Sequence, residues 1–176
     1  AVSHNPASNL KIGAGVAPIP ELIARGVRVA LGTDGAISGN DLDMWKALRY
    51  AAIIHNGRLE SPTAILPRQA FAMATLAGAD ALGLGGELGS LEPGKAADFI
   101  LVRTDGVHSA PLFDPCDHLV YAAAKSDVTD VFIGGDHIVK DGALTKADLQ
   151  EILVQVRGLQ PKIAAAIAQS DLGTKY

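Results

Sequence analysis

Apolar residues follow two different rhythms along this chain. Val27-Arg28-Val29-Ala30-Leu31 is a β-branched, mostly apolar run that stops abruptly at Gly32-Thr33-Asp34-Gly35. Runs without polar alternation suit a parallel strand covered on both faces. The pattern therefore predicts a buried strand with a carboxylate at its C-terminal tip. Ala1-Val2-Ser3 predicts a short strand before it. Pro18 to Gly26 predicts a short helix, with Pro20 in the first turn and Gly26 at the left-handed position after the end. Strand, loop, helix and strand together make one βαβ unit. Pro6 holds Asn5 extended, and Ser8 and Asn9 are loop and cap formers, so His4 to Asn9 is expected as a loop.

After a flexible polar loop over residues 35–40 the rhythm becomes helical. Leu42, Trp45, Leu48, Ala52 and Ile53 share an apolar face, predicting a helix capped by Asn40 or Asp41 and running to about Ile54. Trp45 falls in the core, Arg49 and His55 on the solvent side or packing rim, and Asn56-Gly57 ends the helix. Further helices are expected over Leu66 to Leu76 and Ala79 to Leu82, before the hinge Gly83-Leu84-Gly85-Gly86. From Glu87 the pattern changes to strands. Gly89 to Asp98 reads as strand and turn, Phe99 to Val102 as a strand, and Val128 to Phe132 with His137 to Lys140 as a hairpin around Gly134-Gly135-Asp136. Asp114-Pro115-Cys116 reads as a turn. Leu144 to Gln169 reads as an amphipathic helix capped by Thr145, kinked or divided by Pro161. The divisions are 1–86, 87–144 and 145–176.

Composition narrows the classes. The 176 residues, 48% hydrophobic, suffice for one domain or a modest domain with an appendage. A net charge of −4 offers no basic stripe, which argues against nucleic acid. Cys116 is the only cysteine, which excludes an internal disulfide and fits a reducing compartment. No apolar stretch is long enough to cross a bilayer and no signal peptide is visible, so the expectation is a cytoplasmic protein without a membrane partner. Ala1-Val2-Ser3 reads as the tail of a strand, which suggests a chain starting inside a larger fold. A trimmed domain beginning with a short edge strand is the alternative.

Candidate chemistry is sparse. Asp34 stands where α/β barrels place their reactive groups, but Asp-Gly is equally a turn pair. His4 lines a polar site or hydrogen-bonds within its loop. The glycines at 83–86 lack the following Lys-Ser/Thr pair of a phosphate loop. Lys95, Asp98, His108, His118 and His137 are scattered and read as structural or solvated, and nothing marks Cys116 as an activated thiol.

Three stretches carry a resemblance. Val2-Ser3-His4-Asn5-Pro6-Ala7-Ser8-Asn9, then Leu31-Gly32-Thr33-Asp34-Gly35, then Gly89-Ser90-Leu91-Glu92-Pro93-Gly94-Lys95-Ala96-Ala97-Asp98 stand in this order. They resemble the C-terminal part of the amidohydrolase superfamily, nearest its 5-methylthioadenosine/S-adenosylhomocysteine deaminases and chlorohydrolases. The resemblance implies an α/β fold: the last two strands and following helices of a metal-dependent (β/α)8 barrel, part of a small β-sandwich, and a C-terminal helix. It implies one divalent metal, zinc first and iron second. Asp34 matches the aspartate that binds the metal and handles the proton of the attacking water. Ser38 matches a position that touches substrate. His4 and Asn9 match a loop beside the pocket, which makes His4 a second candidate for substrate contact. The resemblance also implies a heterocyclic substrate, a homo-oligomer, and the missing N-terminal part of the barrel as partner.

One departure is large. The family's other ligands are a His-x-His pair and two single histidines, with a Glu three residues after one of them. None of His4, His55, His108, His118 and His137 fits either pattern. The expectation is part of a deaminase of adenosine-like or guanine-like rings, inactive as this chain alone. The alternatives are a chlorohydrolase of s-triazine-like rings and a non-catalytic binding or assembly module.

Overall fold

The computed structural model describes residues 1–169 in an α/β arrangement. Strand β1 (Val2–His4) lies parallel to β2 (Val29–Leu31), with Val2 opposite Val29 and His4 opposite Leu31. Helices α1 (Pro6–Lys11) and α2 (Ile19–Ala24) connect them. The βαβ unit is as the sequence pattern predicts, but α1 replaces an expected loop. Pro6 enters at the first turn, where a missing N–H breaks no helical bond. The Asn9 and Ile12 amides then donate to the Asn5 and Ser8 carbonyls, both at 3.0 Å.

The expected flexible loop after β2 contains one helical turn, α3 (Ala36–Gly39). Helix α4 (Met44–Arg58) starts later than expected because its cap is Asp43, whose Oδ1 accepts from the Lys46 amide. Asn40 and Leu42 have φ of 72° and 49°, outside the helical region. The helix also runs past Asn56-Gly57, and the Asn56 side chain instead accepts from the Ile65 amide at 2.9 Å. Helices α5 (Pro67–Ala74) and α6 (Leu76–Ala81) follow, the second beginning earlier than Ala79.

Residues Gly89 to Asp98 form turns where a strand was expected. Lys95 holds them, donating to the Gly85 carbonyl and the Ser90 hydroxyl at 2.7 Å each. Strands β3 (Phe99–Val102), β4 (Val128–Ile133), β5 (Asp136–Lys140) and β6 (Ala143–Leu144) make one antiparallel sheet in chain order. Phe99, Phe132 and His137 stack across three of these strands, with ring centroids 4.4 and 4.2 Å apart. Between β3 and β4, the expected turn at Asp114 opens α7 (Pro115–Tyr121), because Asp114 accepts from the Cys116 and Asp117 amides. Helix α8 (Leu149–Ala168) is capped by Asp148 rather than Thr145, whose hydroxyl donates to the His137 and Ile138 carbonyls. Pro161 lies within this continuous helix, which buries none of its residues. The last part of the expected terminal segment, 170–176, lies outside the described residues.

The core joins Ile19 and Val29 to Leu48, Ala51, Ala52, Ile65, Ala70, Met73 and Val120, with Trp45 packed against it. On α4 the buried positions Leu48, Ala51, Ala52 and His55 follow helical spacing. Ile53, expected on that face, is 43% exposed. It stands about 140° around the helix from Leu48, at 3.6 residues per turn. Arg49 bridges to α7, donating to the Val120 and Ala123 carbonyls. Leu48→Ala should therefore cost about 2–5 kcal/mol in denaturant unfolding. Ile53→Ala should stay within about 0.5 kcal/mol of wild type. Equal losses would contradict this packing.

Candidate active site

Because β1 and β2 are parallel, the segments leaving them emerge on the same side. One carries Asn5 and α1, the other Gly32 to Gly39. The two interlock closely. The Gly32 amide donates to the His4 carbonyl at 2.9 Å, adding a rung beyond the strands. A Cβ on Gly32 would stand 2.3 Å from Asn5 Oδ1, and one on Gly39 would stand 2.5 Å from the Thr33 carbonyl oxygen. The Thr33 carbonyl is backbone and holds position 39 to glycine, whereas the Asn5 side chain beside Gly32 is free to swing aside. Lys11 Nζ donates to the Ile37 carbonyl at 3.0 Å, tying α1 to α3.

Asp34 sits at the centre of this junction with φ of 60°, a left-handed conformation that Asp tolerates better than most residues. Its Oδ2 accepts from the Ser8 hydroxyl at 2.6 Å and its Oδ1 from the Gly35 amide at 2.7 Å. The Ser8 bond is the main cause holding the carboxyl below its ordinary range, followed by the Gly35 amide; the Ser38 hydroxyl adds to the same effect, and partial desolvation opposes it. Asp34 is thus ionised at neutral pH and exposed. A carboxylate has about four acceptor positions over its two oxygens, and the Ser8, Gly35 and Ser38 donors leave one open. That suits a single bond to a hard cation. Among the described residues no group of three or more His, Cys, Asp or Glu is placed to hold a metal ion. Asp34 therefore fits a metal as one ligand, and further ligands would have to come from outside the described residues.

The structure brings Asp34 and Ser38 together and adds Ser8, which the sequence reading treated only as a loop or cap former. No local pattern marks Ser8, because its contact spans 26 residues. His4 stands apart from them. It is 2% exposed, and its Nε2 lies 3.3 Å from Nε2 of His55, itself fully buried. The expected rim position of His55 is thus corrected. It falls seven residues after Leu48, on the core face, so the signal was present in the spacing. Neither ring has a partner at Nδ1. Burial first, then repulsion from His55, lowers the His4 pKa to about 4. Burial also lowers His55, with Arg58 adding to the shift. Of the remaining histidines, His108 meets Asp127 at 2.9 Å, His137 meets Asp130 at 2.8 Å, and the buried His118 lies 3.4 Å from the Ser109 hydroxyl.

The Amidohydrolase family profile matches residues 1–138. The chain belongs to the amidohydrolase family. A 5-methylthioadenosine/S-adenosylhomocysteine deaminase of Moorella thermoacetica is 48% identical over 155 residues, covering 88% of this chain and 36% of that protein. An adenosine deaminase from Xanthomonas campestris, solved with bound zinc, superposes with a TM-score of 0.90 at 37% identity, covering 93% of this chain and 37% of that one. The zinc-complexed atrazine chlorohydrolase of Arthrobacter aurescens superposes at 0.84 with 32% identity, covering 90% and 35%. This amidohydrolase chain thus spans little more than a third of the length of these relatives.

The buried histidine pair generates a pH dependence. A folded pKa below the unfolded value gives stability that is full above pH 6.5 and lost as pH falls towards 4. Unfolding free energy should be roughly 2 kcal/mol lower at pH 5 than at pH 7 from His4 alone. His4→Gln should flatten that slope in urea titrations, and an unchanged slope would contradict the assignment.

Proposed function

We propose that this chain is part of a metal-dependent hydrolase that cleaves an exocyclic C–N bond of a cyclic amidine, deaminating an adenosine-like or guanine-like ring. The observation that carries the reading is Asp34: an ionised, exposed carboxylate beyond the C-terminal end of a parallel strand, with an acceptor position still open. Parallel α/β sheets place their chemistry at that end. Similarity to deaminases, at up to 48% identity in the relatives described, supports the substrate class. In this proposal residues 1–86 are the C-terminal part of a (β/α)8 barrel, 87–144 part of a small β-sandwich, and 145–176 the terminal segment.

Asp34 would hold one divalent ion, zinc first and iron second, together with histidines from the N-terminal part of the barrel. Such an ion, when bound, makes a water acidic near neutral pH and polarises the bond it faces. Asp34 accepts a proton from the attacking water. Oxygen adds to the ring carbon, the C–N bond breaks, and ammonia leaves carrying the transferred proton. Ser38, beside Asp34, is the candidate contact to substrate. His4 is assigned to the wall behind the site rather than to substrate, since its ring is enclosed. One carboxylate does not make a catalytic metal site, so the 176 residues alone are proposed to be inactive. A homo-oligomer and a cytoplasmic location belong to the same proposal. No described helix is long and apolar enough to cross a membrane. Similarity to an atrazine chlorohydrolase favours one second reading, in which chloride leaves a triazine ring in the same hydrolytic step.

The test uses the full-length protein loaded with zinc and offered adenosine, 5′-methylthioadenosine, guanine and a chlorotriazine. Ammonia release from a purine is expected, with Asp34→Asn lowering kcat roughly 10²–10⁴-fold. Chloride release alone would support the second reading. No turnover on any ring would overturn both and favour a binding module.

A further inference from the structure

We propose that Ser8 is a positioning residue that sets the orientation of the Asp34 carboxylate; this rests on the reading of Asp34 as metal ligand and proton acceptor. Ser8 is fully buried in α1, yet its hydroxyl reaches an exposed side chain 26 residues away at 2.6 Å. A hydroxyl has a single proton to donate, and a buried one requires a partner. That proton is committed to Asp34 Oδ2.

The terminal torsion of an aspartate is broad, so backbone geometry alone does not fix the carboxylate plane. The Gly35 amide, adjacent in sequence, fixes Oδ1 but moves with the same loop. Ser8 fixes Oδ2 from the other strand's connection. Two donors on two oxygens, arriving from independent segments, define the carboxylate plane and so the direction of its remaining acceptor position. Ser8 is itself held in place. Pro6 is buried at the start of α1, and Lys11 at its end donates to Ile37 beside Ser38. Gly39 packs against the Thr33 carbonyl immediately before Asp34. Helix α1 is thus a bracket for the carboxylate. Hydrogen-bond partners of metal ligands are typically worth 10–100-fold in metal affinity or activity.

The experiment uses the full-length protein as wild type, Ser8→Ala, Ser8→Thr and Asp34→Asn. Zinc affinity is read by chelator competition, kcat and KM separately at saturating zinc, and folding by thermal melts. Ser8→Ala should weaken zinc binding and lower kcat by about 10–100-fold each, with KM within about two-fold of wild type. Ser8→Thr keeps the hydroxyl and should restore both to within about three-fold. If Ser8→Ala does not fold, Ser8→Cys fills the same space with a much weaker donor and should show the same losses. Asp34→Asn separates the two claims. Wild-type zinc affinity and kcat in Asp34→Asn would overturn the reading of Asp34 itself. Loss of both in Asp34→Asn, with both retained in a folded Ser8→Ala or Ser8→Cys, would leave that reading standing and overturn the role of Ser8. A change confined to KM would also overturn it.

Discussion

Everything at the candidate site depends on the parallel pairing of two three-residue strands. Parallel pairing brings both C-terminal ends to one side, so the connections leaving β1 and β2 meet and can brace each other. An antiparallel pair would send them to opposite ends. So short a ladder carries few hydrogen bonds and little stability of its own. It is held by what covers it: Val29 packs in one cluster with Leu48 from α4 and Met73 from α5, and Ile19 from α2 closes that cluster. Core packing thereby fixes the strand ends, and the strand ends fix Asp34.

The junction beyond the strands trades conformational ease for closeness. Gly39 leaves no room for a Cβ against the Thr33 carbonyl, and Asp34 takes a left-handed backbone beside it. Left-handed non-glycine residues persist where the surroundings over-determine them and cluster at functional sites. Here the surroundings are specific: Ser8 on one oxygen, Gly35 on the other, and α3 clamped by Lys11. The histidine pair beneath is a different device. Two neutral imidazoles share one contact between Nε2 atoms, an arrangement that burial enforces and acid opposes.

What was legible in the sequence was whatever one segment encodes by itself. The apolar run into Gly-Thr-Asp-Gly marks β2 and its carboxylate, Pro20 and Gly26 mark α2, and the glycines at 134 and 135 mark the β4–β5 hairpin. Contacts between distant segments were not legible. Ser8 reads as a loop former because its partner lies across the βαβ unit. Caps failed for a related reason: Asp41, Asp43 and Asn40 are all capable, and only the left-handed turn at Asn40 and Leu42 selects Asp43. His55 was legible in the helical spacing from Leu48 and misread because a histidine is expected to seek water. Helix α8 shows the reverse limit. Its apolar residues predict burial, yet none of its described residues is buried.

The most direct measurement of the central claim is an anomalous difference map, recorded at the zinc edge from crystals of the zinc-loaded full-length protein. The account predicts a peak about 2.0–2.2 Å from an Asp34 carboxylate oxygen. A zinc peak coordinated entirely by other residues, with Asp34 beyond bonding distance, would contradict it.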